Sequence, residues 1–141
     1  MGKSRRCRNR PLAGLLVLFA VGCGGPVYHP VAGTVRLDGH PLAEASVLLE
    51  PVAGGPAAHG VTDASGRFDL QSANRPGVVA GEYRVVVTKQ QVTGVRADET
   101  QEAGGAKVKW IVPERYSKPA TSGLTATVPS PAYDLDVTSK P

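Results

Sequence analysis

AGEYRVVVTK, residues 80–89, is the stretch that decides the fold class. Its side chains alternate with a period of two. Tyr83, Val85 and Val87 fall on one face of an extended chain and Arg84, Val86 and Thr88 on the other, as a β-strand requires and a helix does not. A slip of one residue would carry Tyr83, Val85 and Val87 into solvent, so the register of this strand is well specified.

Working upstream, SANRPGVVAG (residues 72–81) reads as a loop, and TDASGRFDL (62–70) as a turn entering a strand. In that turn Asp63 can accept backbone hydrogen bonds and Gly66 can take a positive φ, while Phe68 and Leu70 point inward. VAGGPAAHG (52–60) is a further loop. Before it, Val31, Gly33, Val35 and Leu37 alternate with Ala32, Thr34 and Arg36, and Ala45, Val47 and Leu49 repeat the pattern after Asp38-Gly39. That spacing predicts a hairpin between these two strands, ended by Pro51. Gly24 to Pro30 reads as a tether, with order starting at Val31. Downstream, Gln90 to Lys107 is polar, with Asp98, Glu99, Glu102 and Gly104-Gly105, and reads as a mobile excursion bracketed by short strands near Val92–Val95 and Val108–Val112. PERYSKP (113–119) predicts an extended or single-turn connector. Leu124, Ala126 and Val128, then Tyr133, Leu135 and Val137, restore the alternation. No run of ten or more residues after Cys23 carries a helical stripe. The expectation is an all-β sandwich of about seven short strands.

The amino-terminal end follows different physics. Lys3, Arg5, Arg6, Arg8 and Arg10 precede the uncharged run Pro11–Val21, which falls short of the about 20 apolar residues that a spanning helix needs. A basic flank and a short apolar run are the n-region and h-region of a secretory signal, to be set aside from fold reasoning. LVLFAVGCGGP (16–26) then reads either as the end of a retained membrane helix or as a processing site. Its Ala20-Val21-Gly22-Cys23 resembles the lipobox of bacterial lipoproteins. The resemblance implies removal of residues 1–22 and a diacylglyceryl group on Cys23, two chains at one residue where a single chain anchors only marginally. From Cys23 onward there are 11 Lys and Arg against 12 Asp and Glu, a net charge of −1. The basic balance of the full chain therefore belongs to the leader, and no cationic cluster remains to suggest a nucleic-acid partner. Cys23 would also be the only thiol left, so no intrachain disulfide is expected.

The rest of the chain resembles the carboxypeptidase regulatory-like domains. The matching residues are VAGTVRLDGHPLAEASVLLEP (31–51), GVTDASGRFDL (60–70) and AGEYRVVVTK (80–89), which carry the family's Val-x-Gly-x-Val strand, Asp-Gly-x-Pro-Leu turn, Thr-Asp-x-x-Gly-x-Phe hairpin and Gly-x-Tyr-x-Val-x-Val strand. VPERYSKPATSGLTATV (112–128) looks like the tail of small bacterial lipoproteins of this kind. The resemblance implies a seven-stranded, transthyretin-like Greek-key β-sandwich. The expected organisation is a signal peptide over residues 1–22, the lipidated Cys23 and tether over 23–30, and the sandwich over 31–141.

These motifs are turns and core positions, which specify shape and not chemistry. His29, His40 and His59 have no metal-ligand spacing. Asp63, Ser65 and Asp69 invite a calcium reading, yet the further acids and distal Glu of an EF-hand loop are missing, and a turn explains the same residues. There is no Gly-x-Ser-x-Gly nucleophile motif. No catalysis, cofactor or metal is expected. Trp110 and Tyr116 are the candidate ligand contacts, for carbohydrate or peptide, against the alternative that Tyr116 plugs one end of the sandwich. The functional expectation is a lipid-anchored structural or binding module facing the periplasm or cell exterior, attached to the membrane through Cys23. The alternative is an accessory or inhibitory partner of a larger surface enzyme.

Overall fold

The computed structural model describes residues 24–94 and 107–140. The expected signal peptide, Cys23 and the centre of the polar excursion lie outside the described residues. In chain order the strands are β1 (Tyr28–His29), β2 (Ala32–Leu37), β3 (His40–Pro41), β4 (Ser46–Pro51), β5 (Ala58–Val61), β6 (Arg67–Asp69), β7 (Gln71–Ser72), β8 (Arg75–Pro76) and β9 (Val78–Val79). They continue as β10 (Gly81–Thr88), β11 (Gln90–Thr93), β12 (Lys107–Trp110), β13 (Leu124–Val128) and β14 (Tyr133–Val137). Helical structure among the described residues is one 3-10 turn, Glu114–Ser117, the single-turn form of the expected connector.

The protein is an all-β sandwich. One sheet has the order β13-β10-β4-β5-β7-β8; in the other, β2 carries β14 on one side and β3 and β6 on the other. β14 runs parallel to β2, while β3 and β6 run antiparallel to it. The alternation read from the sequence decides which side chains lie between the sheets. Val47, Leu49, Ala58, Tyr83, Val85 and Val87 come from the first sheet and Val35, Phe68, Tyr133, Leu135 and Val137 from the second, all in one buried cluster. Sandwich packing brings such inner faces to about 10 Å separation, so their side chains interdigitate into a single core.

The stretches expected as loops carry strands, β5 beginning inside 52–60 and β8 and β9 lying inside 72–81, and two further expectations change. Asp38-Gly39, with φ of 50° and 84°, does turn the chain, but into the two-residue β3, which pairs with the end of β2. β4 lies in the opposite sheet, between β10 and β5. Val35 and Leu37 cannot bury the same side as Val47 and Leu49 unless something covers that side, and placing the two strands in facing sheets makes each the cover of the other. The crossover Leu42–Ala45, with Glu44 at φ 54°, is held by Thr62. Its buried hydroxyl donates to the Leu42 carbonyl at 2.6 Å and accepts from the Ala45 N–H at 2.8 Å. The second change is at the tether, where pairing begins before Val31. Tyr28 and His29 pair with Val79 and Val78, and the Arg75 guanidinium lies 5.8 Å from the centre of the Tyr28 ring, a cation–π contact that helps seat so short a strand.

Candidate functional site

The residue after β10, Lys89, marks where the chain leaves the sandwich. Its carbonyl accepts from the N–H groups of Ile111 and Val112, at 2.9 and 3.3 Å, and its ammonium donates to the Ala43 carbonyl. Beyond this clamp β11 and β12 form an antiparallel ribbon of two strands, a sheet of its own with both outer edges unpaired among the described residues. The pairing sets Gln90 opposite Trp110, Gln91 opposite Lys109, Val92 opposite Val108 and Thr93 opposite Lys107. Because directly opposed residues share a face, Val92, Val108, Trp110 and Gln90 make one side of the ribbon. Gln91, Thr93, Lys107 and Lys109 make the other.

Apart from Gln90 the first side is apolar, and it is partly exposed: Val92 is 54% exposed, Val108 52% and Trp110 37%. Single exposed apolar residues are ordinary, but here three adjoin on one face of a two-stranded ribbon and form an apolar patch. An indole offers a flat, weakly polar surface able to stack on a sugar ring or an apolar side chain, with one N–H to orient the partner. The side chains of the patch are two valines, an indole and the Gln90 amide.

Tyr116 lies elsewhere. It sits in the 3-10 turn that packs on β10, is 7% exposed and belongs to the core. Its hydroxyl accepts from Arg115 Nη2 at 3.0 Å and from the Thr138 N–H at 3.3 Å. Arg115 lies 4.7 Å from the ring centre and donates onward to the Lys140 carbonyl at 2.7 Å. Burial pushes the Tyr116 hydroxyl up, the hydrogen bonds from Thr138 and Arg115 pull it down, and the net displacement is downward. Tyr116 thus plugs the end of the sandwich and ties it to the chain that follows β14. Of the two candidate aromatics, Trp110 is the one that offers ring surface to a ligand.

The acidic turn is explained by its own hydrogen bonds. Asp63 Oδ1 accepts from Ser65 Oγ at 2.6 Å, the Ser65 N–H at 2.8 Å and the Arg67 N–H at 3.0 Å. The Ser65 hydroxyl bond, then the two backbone bonds, hold the Asp63 carboxyl below its ordinary value. Gly66 takes φ 79° there, as the turn reading requires. Asp69 is displaced from this turn, paired with Ala32 of β2. Among the described residues no three His, Cys, Asp or Glu side chains come together as a metal site would need. His29, His40 and His59 sit on three different strands, β1, β3 and β5.

Sequence reasoning placed strands on both sides of the polar excursion but not their pairing. Pairing is non-local, and only the structure shows that Val92, Val108 and Trp110 share a face. Comparison with protein-family models, with curated proteins and with solved structures gave no match for this chain.

Proposed function

We propose that this protein is a lipid-anchored, extracytoplasmic binding module of the transthyretin-like, carboxypeptidase regulatory-like kind, with the β11–β12 ribbon as its contact element and no catalysis of its own. The observation that carries this reading is the partly exposed apolar face of Val92, Val108 and Trp110 on a ribbon clamped at its base by Lys89.

The geometry of β10 supports the division of labour. Pro26 and Tyr28, close to Cys23 in sequence, lie against the start of that strand at Gly81–Tyr83, and the ribbon leaves from its other end after Thr88. Eight extended residues separate the two ends by about 23 Å. An anchor at the first end leaves the ribbon facing away from the bilayer, where it meets partners and not lipid. The membrane is therefore the support of this module and not the ligand of its patch.

A second reading, accessory partner of a larger surface protein, draws on the ribbon edges, unpaired among the described residues, which can accept an extended segment by strand addition. Both readings are tested by recovering partners from detergent-solubilised membranes with the wild-type chain and with Trp110→Ala. Trp110 is the only tryptophan of the chain, so its emission reports engagement directly. Saturable binding of envelope oligosaccharide or of a stoichiometric protein, with a blue shift of that emission and loss in Trp110→Ala, is the expected result. Partners retained at full affinity by Trp110→Ala would refute the ribbon as the contact element.

A further inference from the structure

A groove of about 210 Å³ lies at the end of the sandwich opposite the ribbon. Three separate stretches line it: Pro26 and Tyr28 from the amino-terminal segment, Pro51 at the end of β4 with Ala53, Gly54 and Pro56 beyond it, and Val79 to Tyr83 from the end of β9 into β10. The walls are apolar in kind, made of proline rings, tyrosine rings and small side chains. The Tyr83 hydroxyl is already spent, donating to the Val79 carbonyl at 2.7 Å, so it presents its ring and not a hydrogen-bonding group. Glu82 is the one charged residue of the lining.

The position of the groove identifies an occupant. Pro26, part of its wall, is three residues from Cys23, which an extended chain places at most about 11 Å away. Gly24 and Gly25, both exposed, impose no side chain on that path. We propose that the groove receives part of an acyl chain carried by Cys23, sheltering it whenever that chain is out of the bilayer; the proposal rests on the anchor reading above.

Three features select this chemistry. The lining suits a flexible hydrocarbon. Glu82 disfavours a free fatty acid, whose carboxylate would be brought beside another carboxylate, but not an ester-linked or amide-linked chain, which has no charge at its head. The wall formed by Tyr28 exists because β1 is docked on β9 and under Arg75, so an occupied groove and a docked tether reinforce one another. A protein holding one chain in this way attaches to a membrane by fewer chains than it carries, and exchanges between membranes more readily than a fully inserted one.

The test supplies cells expressing the full chain with a diazirine-bearing fatty acid, purifies the acylated protein in dilute detergent, irradiates it and maps crosslinked peptides by mass spectrometry. Crosslinks concentrated on residues 51–56 and 79–83, and lost in Ala53→Trp, are the expected result. Ala53 lines the groove and is exposed, so the bulky replacement fills the space without entering the core, and an unchanged Tm checks this. An acylated protein whose label falls elsewhere, or whose groove crosslinks survive Ala53→Trp, overturns the proposal alone. A Cys23 found free of acyl groups by intact mass overturns it together with the anchor reading.

Discussion

Substituting Gly33 by Ala tests the closure of the sandwich at its tightest point. Gly33 lies in β2 between β14, where it pairs with Tyr133, and β6, where it pairs with Phe68. A Cβ built there would stand 2.0 Å from the Tyr133 carbonyl oxygen, 2.7 Å from Phe68 Cζ and 2.8 Å from Tyr133 Cβ. The nearest obstacle is backbone, so no rotamer change relieves it, and β14 must move by about 1 Å or more to restore a tolerable contact. Overpacking of this kind costs about 1–3 kcal/mol, and more where the backbone has to shift. Opening this end of the β2–β14 ladder would also loosen Tyr133 and Phe68, which are 8% and 2% exposed. We expect a loss of about 3 kcal/mol or more, a large share of the roughly 5–15 kcal/mol by which domains are stable. The assay is urea unfolding followed by circular dichroism, with Gly24→Ala, which meets nothing within 4 Å, as the neutral comparison. Relief by Tyr133→Ala in the double variant should be small, because the carbonyl remains. A Gly33→Ala protein within about 0.5 kcal/mol of wild type, the range of ordinary surface substitutions, would refute the parallel passage of β14 over this residue.

Thr62→Val removes both bonds that hold the crossover and leaves the Ala45 N–H and Leu42 carbonyl without that partner, so urea unfolding should show a loss of about 2 kcal/mol; no change would mean that Thr62 does not pin it. The lowered pKa of Asp63 makes its carboxylate a source of stability that is present above the ordinary aspartate range and lost as pH falls below about 4 through the folded-state value. Asp63→Asn keeps an acceptor in the turn but does not titrate there, so the difference in urea midpoint between pH 7 and pH 3 should shrink; an equal difference would exclude this carboxylate as a contributor. Trp110→Ala should leave the unfolding free energy within about 0.5 kcal/mol of wild type, as a residue outside the core should, and a larger loss would make Trp110 a structural residue.

Alternation alone makes much of this fold legible in the sequence. Tyr83, Val85 and Val87, and likewise Tyr133, Leu135 and Val137, point inward because a period of two assigns side chains to faces locally. The Asp63 turn is equally plain, since its donors lie within four residues. Face assignment does not say which sheet a strand joins. The expected β2–β4 hairpin fails for that reason: Asp38-Gly39 is a sound turn, but β4 is placed by its pairing with β10, far along the chain, and with β5, the strand that follows it, and by the Thr62 staple, all downstream of that turn. β1 is too short to show a period and becomes visible only through Val78, Val79 and Arg75. The groove beside the tether draws on three stretches of chain and has no local signature. The ribbon is half legible: its strands are expected, while the shared face of Val92, Val108 and Trp110 depends on register.

Attachment outside the cytosol through Cys23 is the claim on which the functional account turns, and intact mass spectrometry of the full-length gene product, purified from the membranes of its own cells, tests it most directly. The account predicts a chain that starts at Cys23 and is heavier than its amino acids by a diacylglyceryl group or more. A chain that still bears Met1 and carries no acyl adduct would contradict it.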